Sequence, residues 1–203
     1  MAVLVTGGAR SGKSSFAEKL AMHGSERGIY IATSHIYDEE MKERVELHQQ
    51  MRLASGYPWD TREEPFQLRE LLLHLQESGE DAVVLVDCLT LWLSNWLLQH
   101  EGEVDASARV MKRIDELVEA VSSYRGHLIL VTNEVGDGIV PEYPLGRSFR
   151  DLAGRMNQRL AGVCEQVFLV TVGIPMELKS RAYRLEESTG INTGINKSLS
   201  IER

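Results

Sequence analysis

An apolar run, Val3 to Thr6, leads directly into Gly7-Gly8-Ala9-Arg10-Ser11-Gly12-Lys13-Ser14, and a helical pattern begins at once after it. These residues fit G-x-x-x-x-G-K-[ST], and a strand before and a helix after are the context in which that motif forms a phosphate loop. The glycines let the backbone curl until successive N–H groups point at phosphate oxygens, while the helix adds the positive end of its dipole. Lys13 supplies a point charge for the β and γ phosphates, and the Ser14 hydroxyl is a ligand for Mg²⁺. A glycine-rich turn that merely joins strand to helix is the competing reading; motif and context together speak against it.

The same alternation continues along the chain. Ile29 to Thr33, Ala82 to Asp87, Leu128 to Thr132 and Val167 to Val172 read as buried strands. Between them, helices are expected at Lys13 to His23, Asp38 to Leu53, Pro65 to Glu77, Leu89 to Gln99, Ala106 to Tyr124 and Phe149 to Cys164. Near-continuous apolar strands separated by helices predict an α/β fold, a mostly parallel sheet with helices on both faces. Neither an internal repeat nor a composition shift divides the chain of 203 residues, so residues 1–179 are read as one nucleotide-binding catalytic domain. Residues 180–203 form a polar C-terminal extension, either ordered against a neighbouring subunit or frayed.

A formal charge of -8 argues against nonspecific gripping of a nucleic acid, so bound phosphate must be held by a local device. No stretch has the apolar length of a membrane span, and the N-terminus lacks a signal-peptide pattern; a cytoplasmic location is the expectation. Cys88 and Cys164 are read as reduced thiols.

Ligands of such sheets collect at the carboxyl ends of the strands, which selects Thr33-Ser34, Asp87 and Asn133-Glu134. Asp87 ends the apolar run of a Walker B strand, where a carboxylate holds the Mg²⁺ shell or orients an attacking hydroxyl; it is also placed to cap the next helix. Arg44, His48 and Arg52 stand four residues apart, a nearly straight basic row on a helix. A neutral imidazole in that row could attack an α-phosphorus and expel pyrophosphate. From spacing alone the commoner reading, a solvated histidine, stays open. The other histidines have no partners at metal-ligand spacing, so no zinc site is expected. Trp92 and Trp96, with Leu89, Leu93 and Leu97, form an apolar helix face for core or subunit packing.

Several segments together resemble one family. TGGARSGKS at 6–14, IATS at 31–34, the R-V-x-x-H-x-x-x-R of Arg44 to Arg52, T-x-E-E-P at 61–65, VTNEVGDGIVP at 131–141 and FRDLAGRMNQRLA at 149–161 are similar to the bifunctional adenosylcobinamide kinase and adenosylcobinamide-phosphate guanylyltransferase of cobalamin synthesis. The resemblance implies a RecA-like P-loop NTPase fold with one antiparallel strand. It implies phosphorylation of the aminopropanol hydroxyl of adenosylcobinamide by ATP or GTP, then transfer of GMP from GTP to that phosphate through a guanylylated histidine. His48 matches that histidine. By the same correspondence Gly7, Gly8, Ala9, Arg10, Ser11, Gly12, Lys13 and Ser14 cradle phosphates, Ala32, Thr33, Ser34, Gln49, Gln50, Met51 and Arg52 line the nucleotide, and Glu63 and Asp87 contact nucleotide or metal. Glu63 would accept from guanine N1 and N2. Lys13, Asp87 and His48 are the catalytic candidates, with Ser14 and Asp87 as metal ligands and a homo-oligomer, in some members a trimer, as the assembly. The LASGYP segment between Arg52 and Trp59 is longer than the family's usual connection.

Two other classes compete. A regulatory GTPase would need an Asn-Lys-x-Asp guanine reader, and Asn196-Lys197-Ser198-Leu199 lacks the acid. A RecA-like motor on nucleic acid is disfavoured by the acidic balance.

Overall fold

The computed structural model describes residues 1–34, 50 and 52–183. Seven strands form one sheet: β1 (Ala2–Thr6), β2 (Gly28–Ala32), β3 (Trp59–Glu63), β4 (Val83–Asp87), β5 (Leu128–Val131), β6 (Gln166–Thr171) and β7 (Ile174–Glu177). Their order is β3-β2-β4-β5-β1-β6-β7, parallel throughout except for β7, which runs antiparallel to β6. The helices are α1 (Lys13–Gly24), α2 (Leu68–Ser78), α3 (Leu89–Gln99), α4 (Ala106–Ser123) and α5 (Pro144–Val163).

Both faces of the inner strands are buried, which is why they are apolar without interruption. Val3, Val5, Tyr30, Ala32, Val83, Leu85, Ile129 and Val131 pack with Ala17 and Ala21 of α1. The alternate residues Leu4, Ile29, Ile31, Val84, Val86, Leu128 and Leu130 share a larger core with α2, α3, α4 and α5. Trp92 and Trp96 belong to that core, and both indole N–H groups donate to the Phe66 carbonyl, at 2.8 and 3.2 Å. Among the described residues no helix is long and apolar enough to cross a membrane.

Four elements depart from the sequence pattern. β3 and β7 were not expected from periodicity, because edge strands carry polar or Pro-containing sequences: β3 reads Trp-Asp-Thr-Arg-Glu and β7 contains Pro175. Helix α5 starts at Pro144, five residues before Phe149, since proline suits a first helical position. Helix α2 starts at Leu68; before it, Glu64 Oε1 accepts from the N–H groups of Phe66 and Gln67 at 3.0 and 2.7 Å. Most of the expected helix from Asp38 lies outside the described residues; of the residues described there, 50 and 52–54 are helical.

The sheet ends in a two-residue hairpin. Val172 and Gly173 both take positive φ, 48° and 81°, between paired Thr171 and Ile174, as a primed turn requires. Beyond β7, Glu177 accepts from the N–H of Ser180 at 2.6 Å and from those of Val167 and Lys179 at 3.1 Å. These bonds, those to Ser180 foremost, lower its pKa to about 2. A carboxyl depressed in the folded protein contributes stability that is present above its unfolded pKa near 4.5 and lost as pH falls toward 2. Glu177→Gln should therefore flatten the acid limb of a pH–melting curve between about pH 4.5 and 2. An unchanged limb would show that the carboxylate contributes nothing there.

Candidate functional site

The phosphate loop turns between β1 and α1 with Arg10 at φ 57° and Gly12 at φ 93°, both left-handed. Gly12 caps α1 with no side-chain hydrogen bond, so the first helical N–H groups stay free for an anion. A Cβ on Gly7 would stand 2.4 Å from the Val170 carbonyl oxygen, and one on Gly12 would stand 3.2 Å from Gly173 Cα. The loop is that close to its supports because Glu134 N–H donates to Gly7 O at 3.0 Å and Gly173 N–H to Ser11 O at 2.8 Å. The hairpin tip after β6 thus braces the loop. Lys13 is buried and its ammonium donates to Gly8 O at 3.2 Å. Ser11 Oγ is buried with no partner among the described residues, an atom that a phosphate oxygen would satisfy.

Strand register sets the rest. Ala32 is paired with Glu63 on one side and Asp87 on the other, so Glu63, Ala32 and Asp87 form one line across the carboxyl ends of β3, β2 and β4. Paired residues point to the same face, here the one covered by α1. Strand β5 lies between β4 and β1; at about 4.8 Å per strand, Asp87 stands roughly 10 Å across the sheet from the loop's strand. Cys88, not Asp87, is the N-cap residue of α3, so the Asp87 carboxylate is not spent on capping. Instead it accepts from the Tyr30 hydroxyl at 3.2 Å.

Below this line lies a charged cluster. The Arg52 guanidinium sits 3.6 Å over the Tyr30 ring and 4.0 Å from the Glu18 carboxylate, and Arg52 is 5% exposed with Nε unpartnered among the described residues. Arg52 therefore lies inside the protein, while Arg44 and His48, its companions in the expected row, lie outside the described residues. Burial pushes the Glu18 carboxyl up, opposed by Arg52 and reinforced by Asp87. Burial also raises the Tyr30 phenol well above its ordinary value, with Asp87 adding to it, so the hydroxyl keeps its proton and donates.

The strand ends are tied together by uncharged groups, among which the sequence singled out Thr33 and Asn133 but not Thr90 or Asn95. Thr33 is fully buried; its hydroxyl donates to Cys88 O at 2.6 Å and accepts from Cys88 N–H at 2.9 Å. Asn95 of α3 donates to Thr33 O and Pro65 O at 2.9 and 3.0 Å. Asn133 donates to Thr90 at 2.6 Å, Asn157 donates to Asn133 O at 3.1 Å, and Thr132 donates to Asn157 Oδ1 at 2.8 Å. Arg150 donates to Gly136 O. Two neighbouring segments, 131–141 and 149–161, are thereby one device: α5 holds the loop after β5, whose Glu134 N–H donates to Gly7 O of the phosphate loop. A signal for Asn95 was present, a lone amide on an otherwise apolar helix face.

Of the nucleotide-lining candidates, Ala32 is buried, Thr33 is committed to Cys88, Ser34 is half-buried, and Gln50 and Glu63 are exposed. His48, Gln49 and Met51 lie outside the described residues. Both cysteines are free and buried, with thiols pushed up to about 11 for Cys88 and about 12 for Cys164, chiefly by burial.

Ser14 and Asp87 are hard oxygen donors, and among the described residues no three His, Cys, Asp or Glu side chains come together. That donor set fits Mg²⁺, which keeps waters and phosphate oxygens as most of its ligands.

The family described as cobinamide kinase / cobinamide phosphate guanyltransferase matches residues 3–178. The chain is 42% identical to the bifunctional adenosylcobalamin biosynthesis protein CobU of Escherichia coli K12 and to that of Salmonella typhimurium LT2, over 88% of its own length and 100% of theirs. It is also 42% identical to CobP of Pseudomonas aeruginosa, over 87% of its length and 96% of that protein. Among solved structures it is similar to a prototypical type III secretion ATPase (TM-score 0.51, 11% identity, 91% of this chain, 59% of that one) and to the ATPase EscN of enteropathogenic E. coli (TM-score 0.52, 13% identity, 84% and 43%). The chain thus spans under two thirds of either ATPase, and at these identities the likeness is one of P-loop ATPase fold.

Proposed function

Because the chain belongs to the cobinamide kinase / cobinamide phosphate guanyltransferase family, we propose that one nucleotide site, on the phosphate loop and the ends of β2, β3 and β4, serves both of its activities. The protein is a bifunctional enzyme of cobalamin biosynthesis, a kinase toward cobinamide and a guanylyltransferase toward the phosphate so formed. The carrying observation is the shared line of Glu63, Ala32 and Asp87 beside a loop braced by Glu134 and Gly173.

In the kinase step the aminopropanol hydroxyl of the adenosylated cobinamide attacks the γ-phosphorus of ATP or GTP. An O–P bond forms, the bond to the β,γ-bridging oxygen breaks, and the nucleoside diphosphate leaves as the hydroxyl proton departs. Residues Gly7 to Ser14 hold the triphosphate, Lys13 offsets charge on the β and γ oxygens, and Asp87 orients the hydroxyl or the metal shell. Mg²⁺, when held by Ser14, Asp87 and the nucleotide, neutralises phosphate charge. In the transferase step a neutral His48 nitrogen attacks the α-phosphorus of GTP and pyrophosphate leaves. An oxygen of the cobinamide phosphate then displaces the histidine, giving the GDP-linked corrinoid. Ala32, Thr33, Ser34, Gln49, Gln50 and Met51 border the nucleotide in this reading, and Arg52 lends its charge from beneath. Residues 1–179 act as the catalytic domain, and the protein works as a homo-oligomer.

Intact mass after incubation with GTP tests the reading. One guanylyl increment is expected, stable in base, lost in acid and discharged by cobinamide phosphate; absence of any increment would rule out the covalent route. Glu63, exposed at its strand end, presents a carboxylate that matches the N1–H and N2–H donors of guanine. Glu63→Gln should raise the KM for GTP about tenfold, the loss of one charge-assisted hydrogen bond, while leaving the KM for ATP within about twofold. Equal effects on both nucleotides would remove Glu63 from base recognition.

A further inference from the structure

Tyr30 is a phenol in the middle of a parallel strand whose other residues are Gly28, Ile29, Ile31 and Ala32. It is 5% exposed, and a buried phenol at such a place must find a partner for its hydroxyl. That partner is Asp87 Oδ2, reached diagonally from one strand to the next at 3.2 Å. The ring itself is fixed from the β3 side by Trp59, edge-on at 5.9 Å and 88°. Its face carries the Arg52 guanidinium at 3.6 Å, and Arg52 stands four positions after His48 in the chain.

We propose that Tyr30 is a positioning residue for both reactions: its hydroxyl fixes the Asp87 carboxylate for the metal shell or the acceptor hydroxyl, and its ring face seats Arg52 beneath the nucleotide. A carboxylate at a strand end rotates freely unless one oxygen is held. Holding Oδ2 leaves Oδ1 in a single set of directions, the arrangement that supporting groups give to metal-binding carboxylates. The ring works independently of the hydroxyl. Arg52 has only a 4.0 Å ion pair with Glu18 and no partner for Nε among the described residues, so the aromatic face is what locates its charge. One side chain therefore links the acid of the phosphate site to the segment that follows His48.

The inference rests on the assignment of Asp87 given above, and the test separates the two. Tyr30→Phe keeps the ring and deletes the hydroxyl; Tyr30→Leu deletes both; Asp87→Asn probes the acid itself. Mn²⁺ retention with a non-hydrolysable GTP analogue is read by electron paramagnetic resonance, nucleotide affinity in EDTA by fluorescence, and folding by melting temperature. Tyr30→Phe should weaken Mn²⁺ retention about tenfold, as expected for a lost hydrogen bond to a charged group, with metal-free nucleotide affinity and melting temperature unchanged. Tyr30→Leu should weaken metal-free nucleotide binding as well. The double variant Tyr30→Phe/Asp87→Asn should retain Mn²⁺ no worse than Asp87→Asn alone, because the Tyr30 hydroxyl acts on the metal only through the Asp87 carboxylate.

If Asp87→Asn holds Mn²⁺ as tightly as the wild type, the Asp87 assignment falls, and this inference with it. If Asp87→Asn weakens retention and Tyr30→Phe does not, Tyr30 alone is overturned. Parallel losses of metal, nucleotide and melting temperature in Tyr30→Phe would make the phenol a packing group and overturn the proposal equally.

Discussion

His48→Ala should yield a protein that takes up no guanylyl group from GTP while still phosphorylating cobinamide. The expected loss of transferase activity is complete within detection, since in the proposed route the His48 imidazole alone carries the covalent bond. Kinase turnover should stay within about threefold, because phosphoryl transfer relies on positioning and electrostatics at the phosphate loop. Intact mass after GTP and a separate assay with labelled ATP read the two steps independently. Equal loss of both would identify the histidine as structural, and retained guanylylation would place the nucleophile elsewhere.

Lys13→Ala has the second-largest expected effect and strikes both reactions. Its ammonium rests on Gly8 O at 3.2 Å in a buried position, already held against the loop that takes the triphosphate in the proposed function. Removing one preorganised charge-stabilising group typically costs about 10²- to 10³-fold in kcat, and a drop of that size is expected in phosphorylation. The transferase step should fall as well, because expelled pyrophosphate carries the same two phosphates. Kinase and transferase rates within about twofold of wild type would contradict the loop's placement of the triphosphate.

How legible the molecule was in its sequence varied with burial. β1, β2, β4 and β5 declared themselves because both of their faces are covered, so every residue from Val83 to Val86 had to be apolar. β3 was hidden: an edge strand answers to solvent on one side, and Trp59-Asp-Thr-Arg-Glu63 carries no periodicity that sets it apart from a loop. The phosphate loop was readable since its chemistry demands particular residues at fixed spacing, and Asp87 since it terminates an apolar run. Arg52 was readable only in part. Spacing put it on a row with Arg44 and His48, which lie outside the described residues; its seat between the ring of Tyr30 and the carboxylate of Glu18, one on a strand and one on α1, rests on contacts no local pattern records. Asn133 was picked out by its place at a strand end; its partner Asn157 was visible only as part of a motif, and that the two meet is a matter of tertiary packing.

The threonine and asparagine lattice that ties Thr33, Cys88, Thr90, Asn95, Asn133 and Asn157 contains no ionised member. In the proposed site above it, each catalytic cycle brings in a polyanion, cleaves it and releases the fragments, so the electrostatic potential over the strand ends would swing with every turnover. A scaffold of dipoles answers such swings far less than ion pairs would, and ionic strength barely screens it. The backbone frame at the strand ends is thereby insulated from the charges handled above it and from the salt content of the surrounding medium.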